Sequence, residues 1–201
     1  MLTVAIQAGG TSRRMGRDKA LSPFLGQPLI QHVVNRLSSL AAEIMVTTNQ
    51  PQAYSFLGLP LYLDLIPGRG ALGGIYTALH FASHPFVAVV ACDMPFASPA
   101  LFSVEMDLLI STNADIVIPR TDEGLEPFHA VYRQSTCLPH IKSALSAGYW
   151  RVDSWFNQVK VQVIEDAEIR KLDPFLNCFR NVNTPEELAE AEMIAQKNLK
   201  Q

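Results

Sequence analysis

Seven consecutive apolar residues, Phe86-Val87-Ala88-Val89-Val90-Ala91-Cys92, constrain this chain more than any other stretch. A short, uniformly apolar run reads as a strand covered on both faces, as in the middle of a parallel sheet. It stops at Asp93, and Pro95 prevents its continuation. A carboxylate at the C-terminal end of a central strand sits where open α/β sheets bind ligands.

The surrounding pattern supplies such a sheet. Apolar spacing predicts strands over 1–7, 43–49, 61–64, 114–120 and 126–133, an edge strand over 159–165 and a last short strand over 179–183. Helices are expected over 29–37, 51–57, 98–112, 139–147 and 184–195, with another beginning at 151–156. Ser98-Pro99 and Thr184-Pro185 each give an N-cap followed by proline at the first helical position. Residues 21–29 read as a hairpin with Gly26-Gln27 at its tip, and 67–79 as a glycine-rich loop in the first half and a helix start in the second. Strands alternating with helices in the first half imply a mostly parallel sheet. The 201 residues fit one domain spanning 1–201, with 196–201 a frayed tail.

The first strand breaks into Ala8-Gly9-Gly10-Thr11-Ser12-Arg13-Arg14-Met15-Gly16-Arg17-Asp18-Lys19. Glycine lets backbone approach a ligand closely, and exposed N–H groups there can bind phosphate oxygens. Arg13, Arg14, Arg17 and Lys19 add positive charge opposed only by Asp18, which suits a polyphosphate. The spacing fits neither a P-loop nor a dinucleotide-binding turn. Four glycines at 68, 70, 73 and 74 suggest a second place where backbone meets ligand. Of these, Gly68, Gly73 and Gly74 are placed on the acceptor side of the site.

Overall charge narrows the ligand. With 16 Lys and Arg against 19 Asp and Glu, there is no basic excess for a nucleic-acid binder, so the basic cluster is local. The longest apolar run is far too short to span a bilayer, and no secretory leader is recognisable. Three scattered cysteines, Cys92, Cys137 and Cys178, give neither a zinc pattern nor a disulfide framework and suit a reducing cytoplasm.

Ala8-Gly9-Gly10, Asn49, Asp64 and Asp93 all fall at or just past the ends of expected parallel strands, which share one edge. Two carboxylates and a cationic loop there suit a nucleoside triphosphate with a divalent ion. A carboxylate is a hard oxygen ligand for Mg²⁺, while Lys19 and Arg14 can neutralise charge as pyrophosphate leaves. An acceptor that is itself a phosphate needs placement, not a protein nucleophile.

The loop at 8–19, Pro67-Gly68 through Gly73-Gly74, Cys92-Asp93-Met94-Pro95 and Asn181-Val182-Asn183-Thr184-Pro185-Glu186-Glu187-Leu188 together resemble the molybdenum cofactor guanylyltransferase family, in the same order. The resemblance implies a Rossmann-like α/β/α fold of the nucleotide-diphospho-sugar transferase type, with a mostly parallel, mixed sheet. It implies transfer of GMP from GTP to the molybdopterin phosphate, in the cytoplasm, with Mg²⁺ as cofactor and Mn²⁺ able to substitute. Molybdopterin-pathway proteins and acceptor molybdoenzymes are the partners it suggests. Ala8, Gly9, Gly10, Lys19 and Asp64, with Asn49 nearby, would bind nucleotide, and Asp93 would hold the metal. Arg14, Gly16, Asn181 and Asn183 would lie near the reacting phosphates or the pterin.

Two positions depart from the family pattern. Gln7 stands where members often have Leu, and Thr47 or Thr48 where some have Asn. Ala8-Gly9-Gly10 resembles the guanine type, the related cytidylyltransferases tending to Ala-Ala-Gly, and Gly9 leaves room for a purine. A cytidylyl- or sugar-phosphate nucleotidyltransferase and a non-catalytic GTP-binding adaptor are the alternatives. Trp150, Trp155 and Phe156 read as core or flanking residues, His32 as a helix-surface histidine and Cys92 as a small buried apolar residue.

Overall fold

The computed structural model of the chain describes residues 1–9 and 18–198. Among these, β1 (Leu2–Gln7) is followed by a short 3₁₀ turn and the hairpin β2 (Pro23–Phe24) and β3 (Gln27–Pro28). Then come α1 (Leu29–Leu37), β4 (Glu43–Thr47), α2 (Pro51–Tyr54), β5 (Leu61–Tyr62) and α3 (Gly70–Phe81). The central strand β6 (Phe86–Ala91) leads to α4 (Pro99–Ser111), β7 (Ile116–Thr121), β8 (Gly124–Leu125) and β9 (His129–Arg133). The chain finishes with α5 (Gln134–Ser146), β10 (Val161–Glu165), α6 (Asp166–Ile169) and α7 (Pro185–Asn198).

The main sheet has the order β10-β7-β9-β6-β1-β4-β5, with β8 on β7. It is parallel except at β9, which runs antiparallel to both β6 and β7, and at β8. Period-2 alternation splits the strand residues between two cores. Val4, Ile6, Ala88 and Val90 pack with Val33, Leu37, Leu101 and Phe102 on one face. Ala5, Met45, Val87 and Val89 pack with Leu72, Ile75, Leu79 and Ile141 on the other. β6 is therefore apolar throughout because both of its faces are covered. The expected three-layer α/β/α arrangement with a mixed, mostly parallel sheet is the observed one.

A third cluster joins the hairpin to the end of the chain: Phe24, Leu29 and Phe96 pack on Val182, Leu188 and Ala191. Leu25 N–H also donates to Glu192 Oε1 at 2.7 Å. No helix among the described residues is long and apolar enough to cross a membrane.

Several boundaries differ from expectation. No strand forms over 179–183: Phe179 ends a 3₁₀ turn, and the segment crosses the end of the sheet, where Val182 N–H donates to the Asp93 carbonyl at 2.9 Å. α5 starts at Gln134 rather than Pro139, because the Gln134 amide is pinned to the carbonyls of Leu79 and Ala82 at 2.7 and 2.8 Å. Residues 152–158 are 3₁₀, not α. The strand expected from 126 begins only at His129. α3 starts at Gly70, inside the half of 67–79 expected to be loop, and the hairpin tip is Leu25-Gly26. The final helix runs to Asn198, past the expected end at 195.

Candidate active site

β1, β4, β5 and β6 run parallel, so their C-terminal ends share one edge of the sheet. A cleft of about 760 Å³ opens there. Gln7, Gly9, Lys19, Asn49, Asp64, Gly68, Gly74, Asp93 and Asn181 all line it.

Lys19 is delivered by a small local device. Asp18 caps the 3₁₀ turn at 19–21, accepting from Ala20 N–H at 3.1 Å. Its other oxygen accepts from the buried Tyr54 hydroxyl at 2.5 Å. Burial first, and then this carboxylate, push the Tyr54 phenol above its ordinary range, so it stays a neutral donor. Asp18, which reads in sequence as a charge opposing its neighbours, thus acts as the cap that aims Lys19.

Asp93 lies just past β6, held from two sides. Cys92 N–H donates to the Gln7 carbonyl at 3.1 Å, and the Asp93 carbonyl accepts from Val182 N–H at 2.9 Å. Its carboxylate pairs with the Lys19 ammonium, which also donates to Asn183 Oδ1 at 2.9 Å. Residues from the start, the middle and the last part of the chain therefore meet at one point. The loop bearing Asp93 is braced further along, where His129 Nε2 accepts from Ser98 N–H at 3.0 Å.

On the β4 and β5 side, Asn49 Nδ2 donates to Asp64 Oδ2 at 2.8 Å. A Cβ at Gly9 would lie 3.9 Å from both side chains, so these three positions frame one recess. Ala8 is buried, its N–H given to the Thr47 carbonyl at 2.8 Å. Thr47 and Thr48 are buried, and Asn49 is the exposed member of this turn.

The second glycine run divides by role. Gly68 has φ +73° and lines the cleft, a backbone that L side chains rarely adopt. Gly73 is not among the lining residues: a Cβ there would be 2.8 Å from Arg69 Cβ and 3.3 Å from the Ile66 carbonyl. Its glycine serves close packing. At Gly74 a Cβ would overlap the Gln7 amide. Gly10, Arg14 and Gly16, with Arg13 and Arg17, lie outside the described residues.

Two aromatic side chains join the cleft that the sequence did not single out for it, Phe128 and Trp150. Trp150 is 59 % exposed and so is not a core residue, and the Arg69 guanidinium lies 5.0 Å from its ring centroid. The reversed strand explains its position. Because β9 is antiparallel, α5 begins at the far edge and returns toward the cleft, and Gly148 (φ +82°) turns the chain just before Trp150. Trp155 is wholly buried, as expected. Arg151 and Asp153 pair with each other on the surface at 2.8 Å.

No group of three or more His, Cys, Asp or Glu side chains suited to a metal occurs among the described residues. Asp93 offers its carboxylate in the cleft beside the Lys19 ammonium. That donor set fits Mg²⁺, which binds through one or two carboxylates plus substrate phosphates and keeps its waters. Cys92 is buried, and burial with the adjacent Asp93 charge pushes its thiol far up, so it supplies no thiolate.

The model of the MobA-like NTP transferase domain matches residues 4–161. A probable molybdenum cofactor guanylyltransferase of Pelotomaculum thermopropionicum is 36% identical over 196 residues, 98% of this chain and 94% of that protein. A molybdenum cofactor guanylyltransferase of Desulfosudis oleivorans is 35% identical over 95% of this chain and 94% of its own length. Among solved structures, molybdopterin-guanine dinucleotide biosynthesis protein A of Archaeoglobus fulgidus superposes with a TM-score of 0.83 at 29% identity, covering 97% of this chain and 99% of that one.

Proposed function

Since the chain belongs to the molybdenum cofactor guanylyltransferase family and is a nucleotidyltransferase, we propose that it transfers GMP from GTP to the terminal phosphate of molybdopterin, with Mg²⁺. The observation that carries this reading is the meeting of Lys19, Asp93 and Asn183 in the cleft that also holds Gly9, Asn49 and Asp64. The base and ribose lie on the Asn49–Asp64 side. The triphosphate runs over Gly9 toward Lys19, and the acceptor enters past Asn181, Phe128 and Trp150. Mn²⁺ stands in for Mg²⁺, and the reaction belongs to the cytoplasm. The described cysteines are all free and buried, in keeping with that compartment.

An oxygen of the acceptor phosphate attacks the α-phosphorus of GTP, forming a new P–O bond. The bond from the α-phosphorus to the bridging oxygen breaks, and pyrophosphate carries away the electron pair. The attacking oxygen is already anionic, so no general base is needed. Lys19, fixed by Asn183 and by its cap, holds positive charge where the leaving group gains negative charge. Asp93 would hold a divalent ion, which would supply further charge neutralisation at the phosphates. The acceptor pterin gains an apolar wall from Phe128 and Trp150.

The test is transfer of α-³²P label from GTP to molybdopterin, with and without Mg²⁺ and with CTP as competitor. Labelled dinucleotide, stoichiometric pyrophosphate and Mg²⁺ dependence are expected. Absence of labelled product, or equal use of CTP, defeats the reading.

A further inference from the structure

We propose that Tyr54 is a positioning residue for Lys19: acting through Asp18, its hydroxyl fixes the turn from which the ammonium reaches a polyphosphate. The step that Lys19 serves rests on the guanylyl-transfer reading, while its aim can be tested by binding alone.

Lys19 sits between two anchored neighbours. Ala20 is wholly buried, in the same core cluster as Tyr54. Asp18 is held at both oxygens, Oδ1 by Ala20 N–H at 3.1 Å and Oδ2 by the Tyr54 hydroxyl at 2.5 Å. With both oxygens engaged, the carboxylate keeps one orientation, and the turn at 19–21 cannot pivot about it. Asp93 and Asn183 hold the tip of the Lys19 side chain, and this turn sets its base.

Tyr54 is well placed as the fixed point. It closes α2, which starts at Pro51, just after the Asn49 turn. Gln50 N–H donates to Thr48 Oγ1 at 3.1 Å and so ties that turn to the helix. The Tyr54 ring is buried in the cluster that also holds Ile6, Val46 and Cys92, the neighbour of Asp93. The hydroxyl is therefore referenced to both sides of the cleft. Packing does not account for it, because phenylalanine would fill the same space. Solvation of Asp18 does not account for it either, since that residue is only half-buried. What the O–H adds is direction, through a charge-assisted bond about twice as strong as a neutral one.

The experiment compares the full chain with Tyr54→Phe, Lys19→Met and the double variant. It measures kcat, KM for the acceptor and affinity for inorganic tripolyphosphate, in Mg²⁺ at low ionic strength, where weak polyphosphate binding survives. Tyr54→Phe keeps the ring, so its melting temperature should fall by no more than about 2–4 °C, the loss of one hydrogen bond. It is expected to weaken tripolyphosphate about 3–10-fold and to lower kcat about 10–50-fold with acceptor KM unchanged, the cost of a misaimed cation. In the Lys19→Met background neither loss should recur, because the hydroxyl then has no cation to aim. Undiminished tripolyphosphate affinity in Tyr54→Phe overturns the proposal. So do equal fold-losses with and without Lys19, which would make the bond purely structural. A wild type that shows this binding pattern yet transfers no GMP would leave the role of Tyr54 standing and remove the guanylyl-transfer reading instead.

Discussion

The Lys19 ammonium and the Asp93 carboxylate, 74 positions apart in the chain, are paired in the cleft while Asn183 holds the same ammonium from the other side. The two members of the pair keep 21% and 7% of their side-chain exposure, so the pair is largely withdrawn from water. Asp93→Asn retains an oxygen that can accept from Lys19, so the fold should survive. Turnover should fall at least about 100-fold. Asp93→Ala leaves the ammonium without that partner and should also cost about 1–3 kcal/mol of stability, less than a fully buried pair would. Denaturant unfolding beside pyrophosphate release separates the two effects. Undiminished turnover in Asp93→Asn would remove Asp93 from its role.

Asn49 and Asp64 share a 2.8 Å hydrogen bond on the side of the cleft proposed for the nucleoside. Each single alanine replacement should raise KM for GTP about 3–10-fold, through loss of an ordinary polar contact. Their joint effect should fall short of the sum, because each replacement already disturbs the partner. A double-mutant cycle on GTP affinity gives the answer, and strict additivity would mean that the two act on separate parts of the ligand.

Trp150 is exposed in the cleft and Trp155 is fully buried, so only one of the two tryptophans can sense a ligand there directly. A pterin monophosphate should quench part of the intrinsic fluorescence of the wild type and none in Trp150→Phe. Trp150→Ala should raise KM for the acceptor about 2–10-fold, the worth of an aromatic contact, with KM for GTP unchanged. A shift in GTP affinity alone would move Trp150 to the nucleoside side.

His129 and Glu105 form a wholly buried pair at 3.0 Å. His129 Nε2 accepts from Ser98 N–H, so that nitrogen carries no proton, and burial lowers the imidazole to about 3. Burial likewise holds Glu105 well above the usual carboxylate range, so the pair is neutral. The unfolded histidine titrates near 6.5. As pH falls from about 6.5 toward 3, the unfolded chain gains a proton that the folded one refuses, and stability is lost. Glu105 acts oppositely: its contribution is present below about 4.5 and declines as pH rises through its elevated folded value. His129→Gln should therefore flatten the acid-side loss by about one proton's worth of slope, read from urea unfolding between pH 4 and 7. An unaltered slope would mean that His129 is protonated in the fold.

Much of this architecture was legible because its signals are local. The apolar run at 86–92, the cap and proline at 98–99 and the glycine pair after the first strand each carry their meaning within a few residues. Parallel strand order then gathers Asn49, Asp64 and Asp93 without any knowledge of side-chain positions. What escaped is set by distant partners. Gln134 starts α5 five residues before Pro139 because its amide finds carbonyls in α3. Residues 179–183 have strand composition, but they cross the sheet end and meet one carbonyl, not a ladder. Trp150 reached the cleft through the reversal of β9, which alternation within one strand cannot reveal. A count of cations around Asp18 gives no sign that Tyr54 would seize it.

The bond from Val182 to the Asp93 carbonyl has a consequence for how such a protein comes into being. The ten strands among the described residues all precede residue 182, so a nascent polypeptide has its whole sheet in hand before Val182 and Asn183 emerge from the ribosome. The bond from Lys19 to Asn183 closes only after that, tying the turn that follows the first strand to the segment that precedes the last helix.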